Sequence, residues 1–303
     1  MKFAYLILCH TDPEHVARLA HKLARDDDEC GVFIHVDAKS DIYETVTGLT
    51  ANTENIHLLT HRISVYWAGF SAIDATYLLL HRSYDLGYDR FILLQGAEYP
   101  LASAKEIATF FADNPETEFI RAIETTNSPY DFIRLKSRVR CFRDRVNLTK
   151  KVLNHVFRNL PLFRLPGRVT MTDGSVWPIY WGSAQFAVTR QLVRVFLRHE
   201  HDAVLRKYFG ATHASDETWF QTMALNSDLR YRTPDGGPMI AFEGIDLVDI
   251  LNLTYFEYPT AVTVFDERDF ERLESLPHLF IRKVTTAKST KLLDHIDRLH
   301  AER

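Results

Sequence analysis

The chain has 303 residues, of which 46% are hydrophobic and 25% are charged, as in ordinary soluble globular proteins. The formal net charge of −4 gives no global reason to expect nucleic acid as a partner. Three scattered cysteines are too few for a disulfide framework or a zinc knuckle, so we expect a reducing, cytoplasmic-type compartment.

Strand and helix patterns alternate along the first 120 residues. Apolar runs predict buried strands at Phe3–Cys9, Val32–Val36, Ile56–Leu59, Phe91–Leu94 and Phe119–Ala122. Helices are predicted from Asp12-Pro13-Glu14, from Phe70 to Leu86, and after a Ser103 N-cap. This order predicts an α/β fold with a mostly parallel sheet and helices on both faces. Ligands then bind at the carboxyl ends of the strands.

The second half predicts further elements of the same domain. We expect a strand through Tyr180–Thr189, a helix from Arg190 to Glu200, a strand near Leu229–Arg232 and a final helix from about Ser289. Internal repeats, linkers and low-complexity segments are absent from the sequence. We therefore predict a single domain over residues 1–303.

The apolar opening run, Phe3–Cys9, is too short to span a membrane and lacks the basic start and cleavage site of a signal peptide. We expect a soluble protein, cytoplasmic or attached peripherally at the inner face of the membrane. Residues 134–168 carry eleven lysines and arginines against one acid, with apolar residues interleaved. This segment is interpreted as a solvated insertion, a contact with anionic lipid, or a basic lip over an anionic substrate.

Two neighbouring carboxylates, Asp216 and Glu217, follow Ser215, a residue type that caps helices. One interpretation is that Ser215 caps a helix and that both acids interact with the positive end of its dipole. The other is that Glu217 faces a cleft as a general base.

Four polar side chains follow the first two predicted strands and are expected at the same edge of the sheet: His10, Asp12, His35 and Asp37. Imidazole and carboxylate groups suit zinc or manganese, which would indicate a metal-dependent hydrolase or transferase. Alternatively, Asp37 hydrogen-bonds a ribose hydroxyl, as acids after a nucleotide-fold strand do. The third interpretation is that the histidines bind loop backbone.

Six motifs occur in a specific order along the chain. They are Ile34-His35-Val36-Asp37-Ala38-Lys39-Ser40, Tyr66-Trp67-Ala68-Gly69-Phe70-Ser71, Leu93-Leu94-Gln95-Gly96-Ala97-Glu98-Tyr99-Pro100-Leu101, Gly182-Ser183-Ala184-Gln185-Phe186, Ser215-Asp216-Glu217 and Leu279-Phe280-Ile281-Arg282-Lys283. Together they resemble glycosyltransferase family 14, the core-2/I-branching β-1,6-N-acetylglucosaminyltransferases and the peptide O-xylosyltransferases. The resemblance extends from about residue 3 to 299.

The resemblance implies a GT-A-type, Rossmann-like fold that uses a UDP-sugar, inverts the anomeric centre and needs no divalent metal or other cofactor. It implies a nucleotide-binding part over about 1–125 and an acceptor and catalytic part over about 126–303. The general base falls on Glu217, the uridine contact on Asp37 and the diphosphate contact on Lys283. Acceptor contacts fall near Glu124 and Tyr255.

The chain also departs from the family pattern. The usual Ser-Gly-x-Asp-Tyr-Pro reads Gln95-Gly96-Ala97-Glu98-Tyr99-Pro100, and a tryptophan near the acceptor is replaced by Leu253. A second diphosphate-binding arginine has no direct match, and Arg282 or Arg268 is the candidate substitute. We assign Arg282 and His10 to the donor, and the substrate contacts to Glu98, Trp181, Gly182 and Ser183.

The predicted function is transfer of a sugar, most simply N-acetylglucosamine, from a UDP-sugar to a hydroxyl of a glycan or lipid-linked glycan. We expect a bacterial, soluble member of the family. Three alternatives stay open: a UDP-xylose donor, a metal-dependent enzyme using the His10 cluster, and a non-catalytic glycan-binding or scaffold protein.

Overall fold

The structure is a computed structural model that describes residues 1–24, 29–127, 165–239, 252–258 and 262–302, with the single positions 149, 152 and 156. The predictions for the basic segment 134–168 therefore lie almost entirely outside the described residues. Cys9 and Cys30 are both buried free thiols. Within the described ranges, no helix combines the length and apolarity needed to cross a bilayer.

The central sheet of the described residues has five strands in the spatial order β10-β4-β1-β2-β3. These are β1 (Phe3–Cys9), β2 (Cys30–Val36), β3 (Ile56–Leu58), β4 (Arg90–Gln95) and β10 (Phe186–Thr189). The first four pair in parallel, and β10 pairs with β4 in the antiparallel direction. The predicted mixed, mostly parallel sheet is therefore confirmed.

Helices cover both faces of this sheet. They are α1 (Pro13–Ala24), α2 (Tyr43–Thr50), α3 (Ser71–Tyr84), α4 (Ala104–Asp113), α5 (Arg190–His199), α6 (Ala203–Phe209), α7 (Trp219–Leu225), α8 (Phe270–Glu274) and α9 (Thr286–Glu302). Tyr5 and Ile7 of β1 join the apolar cluster of α1, α4 and α9, whereas Ala4 and Leu6 join that of α3, α5 and α7. Alternate side chains along β1 thus contribute to two hydrophobic cores, one on each face of the sheet.

Shorter strands extend the fold beyond the carboxyl ends of the central strands. One small sheet contains β5 (Glu98–Pro100), β11 (Thr254–Tyr255) and β12 (Phe280–Arg282), with β12 in the middle. Two antiparallel pairs are formed by β6 (Ala122–Glu124) with β9 (Tyr180–Gly182), and by β7 (Arg168–Thr170) with β8 (Val176–Pro178). Since β5 begins three residues after β4 ends, it lies just beyond the carboxyl end of β4.

Several predicted elements differ from the structure for identifiable reasons. The predicted strand near Leu229–Arg232 is wrong: residues Arg230–Arg232 form a 3₁₀ turn, introduced by the Ser227 hydroxyl accepting from Leu229 N. The predicted strand through Tyr180–Thr189 is two strands that pair with different partners. The strand predicted at Phe119–Ala122 lies two to three residues later, as β6, with Phe119 making only an isolated bridge to Ala187.

Gly182 is required where β9 runs close to its neighbour. A Cβ atom at this position would lie 1.9 Å from the carbonyl oxygen of Arg121. We expect Gly182→Ala to lower the free energy of unfolding by about 1–3 kcal/mol, because rigid backbone must move. Gly48, inside α2, has nothing within 4 Å of the same added atom. Gly48→Ala should raise the free energy of unfolding by about 0.5–1 kcal/mol. Urea unfolding measures both variants, and a change of the same sign in both would contradict the steric explanation for Gly182.

Candidate active site

Glu217 lies in a 3₁₀ turn, Ser215–Glu217, that precedes α7. The predicted capping role of Ser215 is wrong. Its buried hydroxyl donates to the carbonyl of Phe209 (2.9 Å) and accepts no bond from the helix. The turn begins at Ala214, whose φ of 51° is left-handed. The local sequence thus makes a tight turn before the helix, and this turn carries the candidate base.

The Glu217 carboxylate is held by an indole. Trp181 Nε1 donates to Glu217 Oε2 over 2.8 Å, and Trp181 is 7% exposed in β9. An indole nitrogen can only donate, so this bond fixes the orientation of the carboxylate. Trp219, the other tryptophan near this turn, donates instead to the hydroxyl of Tyr77 inside the core. Trp181 is therefore the tryptophan that contacts the predicted base.

The loop after β3 connects the turn of Glu217 with Asp37. Ala214 N donates to the carbonyl of Ala68 over 3.0 Å, and both alanines have left-handed φ values. Such backbone is unfavourable for alanine and is held only where the surroundings impose it. Between these contacts, the Trp67 ring is 78% exposed and packs edge-on against His213. Trp67 lies in the second of the six sequence motifs, and the family resemblance predicts no role for it.

Asp37 is a well-anchored carboxylate at the end of β2. Its oxygens accept bonds from Lys39 N (2.9 Å), Val65 N (3.2 Å) and Lys39 Nζ (2.6 Å). Burial alone would raise the pKa of Asp37, but the bonds from Lys39 and Val65 outweigh it and lower the pKa. Lys39 Nζ also lies 4.6 Å from the centroid of the Tyr66 ring. The ionised Asp37 can accept bonds from hydroxyl or N–H groups of a ligand.

The four residues predicted as a possible metal cluster have separate partners. Asp12 accepts from Thr286 N (2.8 Å) and anchors the start of α9. His35 Nε2 accepts from Ile63 N (2.9 Å), and burial lowers the pKa of this imidazole to about 4. His10 is exposed. In the ranges that the structure describes, no three His, Cys, Asp or Glu side chains are grouped so that they could hold a metal ion.

Glu98, predicted to touch substrate, is fully buried. A side chain without exposed surface cannot contact a ligand, so this prediction is corrected. Glu98 Oε1 accepts from Gln185 Nε2 (2.9 Å), and Oε2 lies 3.5 Å from Thr254 Oγ1. Across the β5–β12 ladder, Glu98 pairs with Arg282. Burial raises the pKa of Glu98 to about 7, although the charge of Arg282 opposes that rise.

Arg282 and Lys283 lie together at the end of β12. Lys283 exchanges backbone bonds with the 263–265 segment, and Val284 N donates to the carbonyl of Ala97 over 3.0 Å. These bonds bring both cationic residues next to the loop after β4. Arg282 Nε is buried, and among the described residues it has no hydrogen-bond partner. Arg268, the other candidate for the second arginine, instead forms an ion pair with Asp266 on the surface.

The residues predicted on the acceptor side fall into two places. Glu124 on β6 lies beside the strand of Trp181 and accepts bonds from Thr126 Oγ1 (2.5 Å) and Arg168 Nη2 (3.5 Å). Ser183 donates to Gln185 Oε1 over 2.7 Å. Tyr255 lies on β11, where its hydroxyl donates to Glu257 (2.8 Å). Glu124 is thus close to the Glu217 side, and Tyr255 is close to the Arg282 side.

A separate cavity of about 170 Å³ lies between the start of α4, α8 and the end of α9. Its lining includes Leu101, Phe270, His278 and Leu299. None of the predicted site residues lines it. The chemistry-bearing side chains are instead collected at the carboxyl ends of β1, β2 and β4, where ligands of open α/β sheets bind.

A mostly parallel sheet flanked by helices, with polar and charged side chains beyond the carboxyl ends of its strands, is the architecture of ligand-binding α/β proteins. The family model described as "Core-2/I-Branching enzyme" matches residues 3–233, well over half of the chain. The chain therefore belongs to the core-2/I-branching enzyme family, a family of glycosyltransferases. The family resemblance is confirmed over residues 3–233, a range that contains five of the six motifs.

Similar curated proteins are xylosyltransferases. Xylosyltransferase 2 of Rattus norvegicus is 26% identical over 237 residues, which are 75% of this chain and 25% of that protein. Xylosyltransferase 1 of Rattus norvegicus is 25% identical over 202 residues, covering 64% of this chain and 22% of that protein. The chain thus spans about a quarter of the length of these relatives.

Among solved structures, S. aureus TarS 1–349 aligns with a TM-score of 0.40 at 12% identity, covering 75% of this chain and 56% of that one. The same fragment in complex with UDP-GlcNAc aligns with a TM-score of 0.32 at 14% identity, covering 45% of this chain and 38% of that one.

Proposed function

We propose that this protein transfers a sugar from a UDP-sugar to a hydroxyl group of a glycan acceptor, inverting the anomeric centre without a divalent metal. The observation that carries the proposal is the bond from Trp181 Nε1 to Glu217 Oε2, which orients one carboxylate at the ligand edge of the sheet. Membership of a glycosyltransferase family gives that carboxylate its chemical context.

The proposed reaction is a single displacement. The acceptor oxygen attacks the anomeric carbon of the donor sugar as the bond from that carbon to the diphosphate oxygen breaks. Glu217 takes the proton of the attacking hydroxyl, and UDP leaves with the electron pair of the broken bond. Negative charge develops on the diphosphate, and Lys283 with Arg282 supplies positive charge there.

Asp37 fits the nucleoside end of the donor. Its carboxylate is anchored by two backbone N–H groups and Lys39, as described above, so it is pre-organised to accept a bond from ribose hydroxyls or the uracil N–H. The exposed Trp67 ring lies near the turn of Glu217, and its flat apolar face can pack against a sugar ring. We assign Asp37 to the donor and leave Glu124 and Tyr255 as proposed acceptor contacts.

The donor sugar is proposed to be N-acetylglucosamine, with xylose as the second candidate. The name of the matching family model favours the first, and the names of the curated relatives favour the second. A UDP-release screen over donor sugars, run with EDTA, tests both choices. UDP release that requires added metal would contradict the proposed mechanism, and calorimetry without UDP binding would indicate a non-catalytic protein.

Loss of the Lys283 ammonium should weaken donor binding. We expect Lys283→Met to raise the Kd for UDP about tenfold or more, because a charge-assisted contact with the diphosphate is removed. Lys288→Met, at an exposed position inside α9, is the matched control and should leave the Kd unchanged. Isothermal calorimetry measures both, and equal affinities for UDP in the two variants would remove Lys283 from the donor site.

A further inference from the structure

Buried polar side chains form a continuous hydrogen-bonded chain through the interior, which we call the buried polar chain: Glu98, Gln185, Ser183 and Gln221. Each is at most 9% exposed. Gln185 Nε2 donates to the Glu98 carboxylate (2.9 Å), and Ser183 Oγ donates to Gln185 Oε1 (2.7 Å). Gln221 Nε2 donates to the Ser183 carbonyl (2.5 Å). Both ends of the Gln185 amide are thus used, which fixes its orientation.

The two ends of the buried polar chain reach the two halves of the proposed site. At one end, Glu98 pairs with Arg282 across the β5–β12 ladder, next to Lys283. At the other end, Gln221 Nε2 lies 3.5 Å from the carbonyl of Asp216, the residue before Glu217. The backbone segments that hold the base and the cationic residues are therefore joined through the side chains of Glu98, Gln185 and Gln221 and through both the hydroxyl and the carbonyl of Ser183.

We propose that Glu98 is a positioning residue that holds the Arg282–Lys283 strand in register with the Glu217 turn. This inference rests on the proposed function, because it assigns a role relative to that base and that donor clamp. Glu98 itself does not touch substrate, since it has no exposed surface. Its effect passes through Gln185 and Ser183 on one side and through the charge of Arg282 on the other.

The physical basis is that buried hydrogen bonds are hard to exchange. Water cannot replace a partner of Glu98 or Gln185, so moving either side chain leaves polar atoms unpaired at a substantial free-energy cost. Transfer requires the base, the acceptor hydroxyl and the anomeric carbon to be held within a fraction of an ångström. A misplacement of about 1 Å can reduce the rate about 100-fold.

Neutralising the carboxylate tests the role of Glu98. Glu98→Gln keeps the side-chain volume but removes the charge and replaces one acceptor oxygen with a donor NH₂ group. We expect kcat for UDP release to fall about tenfold or more, while the Kd for UDP changes less than about threefold. UDP binding depends on the Arg282–Lys283 end of the buried polar chain, whereas transfer also depends on the Glu217 end. Ser183→Ala breaks the same chain without changing a charge and should lower kcat in the same direction.

The double variant Glu98→Gln, Gln185→Glu provides a rescue. It moves the carboxylate to the partner side chain and lets the new amide at position 98 donate to it. The Ser183 hydroxyl can still donate to position 185. We expect this exchange to restore kcat to within about threefold of the wild type.

Glu118→Gln is the matched control. Glu118 is also fully buried, but it accepts bonds from Thr189 and lies outside the buried polar chain. It should leave kcat per folded molecule within about twofold, since the bond it changes does not belong to the buried polar chain.

The outcomes separate the two proposals. A wild type that neither binds UDP nor releases it from UDP-sugars overturns the proposed function and this inference with it. An active wild type whose Glu98→Gln variant keeps its kcat overturns this inference alone. The same holds if kcat falls in Glu98→Gln but the exchange variant recovers nothing, because the effect would then not pass through the bond between positions 98 and 185.

Discussion

Glu217→Gln is expected to lower the transfer rate by about 10²–10⁴-fold while UDP still binds with wild-type affinity. The amide cannot take the proton of the acceptor hydroxyl, whereas its shape and its contact with Trp181 can persist. The measurement is the rate of UDP release with a saturating acceptor, together with calorimetry of UDP alone. A variant that keeps a tenth of the wild-type turnover would exclude Glu217 as the base.

A surface glutamate serves as the control for this substitution. Glu116 is 73% exposed and lies opposite Arg232, away from the turn that carries Glu217. Glu116→Gln should keep activity within about twofold. Trp181→Phe is an intermediate test, because it removes the indole N–H that orients the carboxylate, together with part of the ring, and leaves the Glu217 side chain in place. We expect it to lower kcat less than Glu217→Gln does, with UDP binding unchanged.

Glu98→Gln is expected to become more stable relative to the wild type as the pH rises. The pKa of Glu98 is raised from its usual value of 4.5 to about 7, mainly by burial. Between these values the folded protein holds a proton that the unfolded chain has released, so wild-type stability falls as the pH increases. This shift of the Glu98 pKa corresponds to about 3 kcal/mol of folding stability. The wild type has this stabilisation in full below pH 4.5 and loses it above about pH 7.

The pH test compares urea unfolding of both proteins at pH 5 and pH 8. Glutamine does not titrate, so the stability of Glu98→Gln minus that of the wild type should increase by up to about 3 kcal/mol over this range. The groups facing Glu98 are His15, which donates to its carbonyl, and Arg282 on β12. If the stability of Glu98→Gln minus that of the wild type were equal at both pH values, the ionised Glu98 would not destabilise the folded protein.

Glu98→Gln is thus expected to affect function and stability differently: it lowers kcat, whereas its stability relative to the wild type increases as the pH rises. A buried carboxylate that destabilises the fold, yet connects the base turn with the cationic strand, is the pattern expected of a residue kept for activity.

The strands of the central sheet follow directly from the sequence. Phe3–Cys9 and Arg90–Gln95 are apolar over almost their full length, which is what a parallel strand covered on both faces requires. Shorter elements were less predictable. The start of α9 at Thr286 depends on Asp12, which is far away along the chain, and no local pattern contains that contact.

The sequence by itself determined the class of fold, the family and the residue types available at the carboxyl edge of the sheet, because periodicity and ordered motifs are local properties. Only the tertiary structure decided how each of these residues is buried and hydrogen-bonded. Ser215 points into the core, Glu98 is enclosed by Gln185 and Thr254, and Glu217 is oriented by Trp181. Burial and hydrogen-bond partners come from segments distant in sequence, so they are fixed only when the strands and turns pack together.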